Sequence, residues 1–335
     1  MNPPSNARGF TVLELLVAAT VTLLLAGVML SVSAGVLELW RRAQGGFTAA
    51  TEAVVALDLL ERDLQAALYR PDGNTWLAVS IGNDPATLVN RGWLTADAIR
   101  TKPAANESLR LLPEPDATGR RHLREARFGL TGVWLRFVAA SAESATELGL
   151  PRAIAYQVAR RPVRGSLSVS NPAAVRYTLY RSAISSQNTF NLGYNVLASS
   201  YASLGNNPGA QRAPSTMANP NSLDVLATNV IDFGVWLYVR EANGGLRVVY
   251  PAHSGDLTHE AIGMATPPDT ARMPELADIM LRVLSEEGAA RIEAIETGRG
   301  SRPPEYASDA VWWWAVAEAH SRVFVRRIEI KGGGR

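Results

Sequence analysis

The sequence predicts an α+β fold: a long N-terminal helix, transmembrane in its first half, packed by its second half against an antiparallel β-sheet head. Three observations predict it. No residue from Leu15 to Leu37 is charged, a run of 23. Behind that run, Val54, Leu57, Leu60, Leu64 and Leu68 recur every three or four positions. After residue 73, short segments rich in β-branched and aromatic residues take over, separated by Gly, Pro and Asn.

The uncharged run would rise about 35 Å as a helix, against about 30 Å for a bilayer core. It exceeds the roughly 7–15 residues of a secretory apolar region, and it is apolar on every side, unlike a surface helix. A core helix of a soluble protein is the alternative reading. The stripe from Val54 to Leu68 is interleaved with Glu52, Asp58, Glu61, Arg62 and Asp63, the pattern of a helix with one buried face. Gly45 and Gly46 lie between the two halves and leave two readings, one long helix or an anchor, a loop and a separate helix. Pro71-Asp72-Gly73 stops the helix.

Strands are expected at 133–138, 154–159, 175–181, 230–239, 246–250, 279–284 and 323–330. Asn243-Gly244-Gly245 reads as a hairpin turn between two of them. Residues 289–296 and 308–320 read as short helices. Residues 185–222, rich in Asn, Ser, Gly, Ala and Pro, read as a long surface loop or linker.

Composition removes several function classes. There are 33 Lys and Arg against 31 Asp and Glu, so the net charge of +2 creates no strong field for nucleic acid. Cysteine is absent, which excludes disulfides, thiolate metal sites and Cys nucleophiles.

The chain opens the apolar run with Arg8-Gly9-Phe10-Thr11-Val12-Leu13-Glu14-Leu15. This resembles the type IV prepilin, or class III, signal: a short polar leader ending in Gly, an aromatic, Thr, and Glu as the fifth residue after the cleavage point. The resemblance implies a pilin-like fold and cleavage after Gly9 by a prepilin peptidase, with N-methylation of Phe10. It divides the chain into a leader (1–9), a transmembrane helix (10–37), a periplasmic extension of that helix (38–70) and an α+β head (71–335). Residues 57–65, 230–238 and 323–328 are similar to minor pseudopilins of the J type and pilus proteins of the W type. Residues 276–292 and 312–327 resemble the prepilin-type family called Verru_Chthon cassette protein C.

Glu14 has its own physical argument. A carboxylate in a hydrocarbon-facing helix costs on the order of a few kcal/mol and usually has a partner. The resemblance implies that this partner is the terminal amine, on Phe10, of a neighbouring subunit during assembly. The other reading is hydration at the headgroups. Arg8 precedes the run while Arg41 and Arg42 follow it, so charge alone does not orient the helix. The resemblance places the head in the periplasm of an inner-membrane protein, and outside the cell within an assembled filament.

Other chemistry is sparse. His253 and His259 do not have metalloprotease spacing, and their segment reads as a polar loop. Neither Gly244-Gly245 nor Gly332-Gly333-Gly334 precedes Lys-Ser or Lys-Thr, so no phosphate loop is present. His253-Ser254-Gly255-Asp256 reads as a turn rather than a triad. Trp312-Trp313-Trp314 on one helix point about 100° apart and fit a helix packed on two sides, with a partner surface as the alternative. Arg120, Arg121, Arg124 and Arg127, and Arg160, Arg161 and Arg164, read as solvated basic faces.

The expected function is structural: a minor pilin or pseudopilin subunit of a type IV pilus or type II secretion-like filament. No catalysis and no cofactor or metal are expected. Its partners would be the prepilin peptidase, other pilins, the inner-membrane assembly platform and the bilayer. A membrane-anchored exported enzyme or carbohydrate-binding module using the same signal is the alternative.

Overall fold

An apolar run without Pro or charge propagates as helix, and the helix α1 covers Val12–Gln65 in the computed structural model. The structure describes residues 11–81, 109–128, 132–141, 147–162, 175–202 and 212–333. Backbone hydrogen bonding stays helical through Gly45 and Gly46. The chain divides into two compact units, Met1–Phe47 and Thr48–Arg335. The first contains the span Val12–Leu37, 26 residues long and apolar enough to cross a membrane. None of that span is buried. Its two threonine hydroxyls are satisfied internally: Thr20 donates to the Leu16 carbonyl (2.5 Å) and Thr22 to that of Ala18 (2.8 Å).

The second unit is the head. Its strands are β1 (Thr75–Ile81), β2 (Leu109–Arg110), β3 (Arg127–Phe128), β4 (Val133–Ala140), β5 (Pro151–Pro162) and β6 (Val175–Ala183). They continue with β7 (Val225–Thr228), β8 (Val230–Arg240), β9 (Leu246–Tyr250), β10 (Thr258–Ile262), β11 (Leu276–Leu284) and β12 (Ser321–Glu329). A six-stranded sheet runs β10-β1-β4-β5-β6-β7 and a four-stranded sheet β12-β11-β8-β9, every pairing antiparallel. β2 and β3 form a separate pair. The β8–β9 hairpin turns where Asn243-Gly244-Gly245 predicts it. Gly244 has φ 82°, and the Gly245 N–H donates to the Asn243 side chain (2.7 Å).

Strand alternation sets the layers. On β5, Ile154, Tyr156 and Val158 enter the main core, while Ala153 and Ala155 face the other way. The main core takes one face of α1: Ala49, Ala53, Ala56, Leu57, Leu60 and Leu64. Val54, expected in that stripe, is 43% exposed. Leu57, Leu60 and Leu64 are buried as the pattern predicts, and before them the buried stripe runs through Ala49, Ala53 and Ala56.

The described residues between 185 and 222, which are 185–202 and 212–222, differ from the loop the sequence suggests. They carry α2 (Ser186–Leu192), α3 (Ser199–Ala202) and tight turns at Pro214–Met217 and Ser222–Asp224. Tyr201, Met217 and Ala218 pack on Trp134, Ala153 and Ala155, covering the second face of the six-stranded sheet. Polar side chains of the sheet meet the covering backbone: Gln157 donates to the Met217 carbonyl (2.8 Å) and Ser182 to that of Thr216 (2.7 Å). Between β11 and β12 lie α4 (Glu286–Glu296) and α5 (Asp309–Ala319), capped by Ser285 and Ser308.

Candidate functional site

Gly9 and Phe10, together with the rest of the expected leader, lie outside the described residues. Glu14 is described, and it has a partner that the sequence reading did not supply. Thr11 is the residue before the helix, and its hydroxyl accepts from the Glu14 N–H (3.2 Å). In return, the Glu14 carboxylate accepts from the Thr11 N–H (2.9 Å) and hydroxyl (3.0 Å). This is a reciprocal capping box, which satisfies helix-end donors at the start of the apolar span. The Thr-x-x-Glu spacing that carries it was visible in the sequence. One oxygen of Glu14, Oε2, accepts both of these bonds, and the residue is exposed within its unit.

In the head, ionic and polar contacts tie α1 to both sheets. Arg181 on β6 grips Asp63 with Nε (2.6 Å) and Nη2 (3.0 Å), and the Tyr156 hydroxyl donates to the same carboxylate (2.6 Å). Burial, then the Asp63 charge, pushes the Tyr156 hydroxyl well above its usual range, so it stays a donor. Glu52 accepts from the Thr228 N–H (2.8 Å) and hydroxyl (3.0 Å) on β7. Arg326 on β12 reaches Asp58 and Glu61. The acidic residues between the apolar positions of this helix are therefore attachment points to the sheets as well as a solvated face.

The tryptophan run packs on two sides. Trp313 and Trp314 are buried and Trp312 is half-buried. Trp313 meets Tyr177 edge-on (centroids 6.0 Å apart) and donates to Glu296 (3.1 Å). Trp314 carries the Arg127 guanidinium over its ring (4.5 Å). Glu296 also accepts from the Tyr177 hydroxyl (2.7 Å) and Arg160 Nε (2.8 Å).

The remaining candidates resolve one by one. Arg127 pairs with Glu318 and Arg160 with Glu296, so each basic cluster contributes a buried arginine rather than a wholly solvated face. Arg120, Arg121 and Arg124 are exposed. Arg164 lies outside the described residues. His253 is exposed in a turn closed by its N–H on Asp256 (2.7 Å). His259 is buried on β10, where the sequence read a polar loop; its ring lies near Tyr250 and bonds the Arg272 carbonyl (3.2 Å). Among the described residues, no three His, Cys, Asp or Glu side chains gather into a metal-binding group. A small cleft, with room for about one water molecule, is lined by Arg176, Tyr177, Asn229, Ile292, Glu293 and Glu296. Both of its carboxylates are engaged, Glu293 by Arg176 and Glu296 by Arg160.

Comparison of the chain with protein-family models, curated proteins and solved structures finds no match.

Proposed function

We propose that this protein is a minor pilin or pseudopilin subunit, cut after Gly9, methylated on Phe10, and built into a filament of the type IV pilus or type II secretion kind through its N-terminal helix. In this reading it is a single-pass inner-membrane protein with a periplasmic head, and it catalyses no reaction. The observation that carries the proposal is the sequence from Gly9 to Glu14, set directly before an apolar, unburied span of 26 residues. The head adds support. One helix, Val12–Gln65, includes that span and also supplies the buried face on which antiparallel sheets pack. The proposed partners are the prepilin peptidase, fellow pilins and the inner-membrane assembly platform.

Mass spectrometry of the N-terminus of the native protein tests processing. The expected terminus is N-methyl-Phe10, and Gly9 replaced by a bulky residue leaves the precursor uncut. A terminus at Met1 in a host with active prepilin peptidase overturns the proposal.

A further inference from the structure

Among the asparagines of the chain, only Asn243, in the β8–β9 turn, is followed by glycine. An asparagine loses its side-chain amide when the backbone nitrogen of the next residue attacks its Cγ, and a Cβ on that next residue obstructs the attack. Gly244 has no Cβ, and the space where one would stand is open to 4 Å. Residues 241–246 are all exposed, so water and hydroxide reach the turn.

The contacts of the side-chain carbonyl favour the same reaction. The Gly245 N–H donates to Asn243 Oδ1 (2.7 Å), the atom that gains negative charge when Cγ becomes tetrahedral. A backbone donor already aimed at a developing oxyanion lowers the barrier to forming it. Only glycine fits at 245 with this contact, since a Cβ there would stand 2.9 Å from Oδ1. One contact opposes the attack: the Gly244 N–H is held by the Glu241 carbonyl (2.9 Å). That bond lies in an exposed turn, where local opening costs little.

We propose that Asn243 is a self-modification site, where the β8–β9 hairpin converts its own asparagine to aspartate and isoaspartate without an enzyme. Gly244 N gives its proton to hydroxide and bonds to Asn243 Cγ. The Cγ–Nδ2 bond breaks, Nδ2 takes a proton from water and leaves as ammonia, and a succinimide remains. Water then cleaves one of the two ring C–N bonds. In sum one water enters and one ammonia leaves, with no oxidant or reductant. Cleavage at Cγ gives aspartate, whose carboxylate keeps the Gly245 N–H in a charge-assisted bond. Cleavage at the main-chain carbonyl gives isoaspartate, which routes the backbone through Cβ and lengthens the turn by an atom, against the register Arg240↔Leu246. Either product lowers the net charge of +2 by one. The inference concerns the head alone and goes beyond the filament reading.

The test follows the full chain, purified in neutral detergent and kept at mildly alkaline pH, by mass spectrometry of tryptic digests over time. Trypsin cuts after Arg240 and Arg247 and releases residues 241–247, in which Asn243 is the only asparagine. The amide-to-acid mass gain of that peptide reports conversion, and methylation by an isoaspartyl methyltransferase reports the isoaspartate. Conversion in the chain is expected within about tenfold of the rate in the free peptide 241–247, and at least about tenfold ahead of Asn74, Asn191 and Asn195. Gly245→Ala should slow it about tenfold in the chain and leave the free peptide nearly unchanged, because only the fold holds Oδ1 on that N–H. Conversion more than about tenfold slower than in the peptide, earlier conversion of another of these asparagines, or an undiminished rate in the Gly245→Ala chain overturns the proposal. The comparison of native chain with free peptide needs no variant, so misfolding of Gly245→Ala leaves the test intact. No filament enters the assay, so a negative result leaves the N-terminal reading standing.

Discussion

The ring of Phe128 occupies the space that a side chain at Gly234 would need: a Cβ there would stand 2.0 Å from Phe128 Cε2. Gly234 lies in β8, and Phe128 ends the segment that crosses the outer face of the four-stranded sheet. That segment is also held where Trp236 donates to the Leu111 carbonyl (3.0 Å). Glycine in a strand interior weakens the strand unless another group must come close, and here a buried aromatic does. Gly234→Ala should therefore destabilise the head by about 1–3 kcal/mol or more, measured as a drop in the urea midpoint. Adding Phe128→Leu should recover part of the loss; a neutral Gly234→Ala would remove the close approach from the account of this strand.

Asp63 and Arg181 are both about nine-tenths buried as side chains, so removing one partner strands the other's charge. Asp63→Ala should cost about 3–5 kcal/mol of head stability in denaturant titration. The double replacement Asp63→Leu, Arg181→Met should cost much less, because no buried charge remains. A single variant no worse than the double would show that the pair does not hold α1 to β6.

His259 gives the head an acid-sensitive element. Burial lowers its pKa from 6.5 to about 4, outweighing the Arg272 carbonyl and the Asp256 charge, which favour the proton. The unfolded chain therefore binds this proton more tightly than the folded one. The His259 contribution is whole above pH 6.5, falls as pH drops towards 4 and is then spent, for a total of about 3 kcal/mol. Urea midpoints between pH 7.5 and 4 should decline more steeply for the native chain than for His259→Gln. Parallel slopes would contradict this.

Much of the framework was legible because periodicity reports burial. The uncharged run, the strands around Leu135, Tyr156, Val235 and Leu281, and the helix bearing Trp313 lie where the pattern placed them. β10 escaped because Thr258-His259-Glu260-Ala261-Ile262 is polar in composition, and its burial comes from partners distant in sequence. The covering role of Tyr201, Met217 and Ala218 escaped for a related reason: short helices of Ser, Asn and Ala carry almost no periodic signal. At the N-terminus the motif was plain, and the Thr11–Glu14 exchange follows from its spacing, but an intermolecular role leaves no trace in one chain.

That exchange sharpens the central question, whether Glu14 serves only its own helix or also a neighbouring subunit. Glu14→Ala removes both roles, whereas Thr11→Ala removes the hydroxyl half of the capping box and keeps the carboxylate. The deciding measurement is the amount of subunit in sheared filaments relative to the amount in the membrane, in a native host expressing each variant. Assembly through Glu14 predicts a ratio reduced severalfold by Glu14→Ala and close to the native value for Thr11→Ala, with both proteins inserted. An unchanged ratio for Glu14→Ala, or an equal fall for both variants, would contradict an assembly role and leave Glu14 as a helix cap on a membrane anchor.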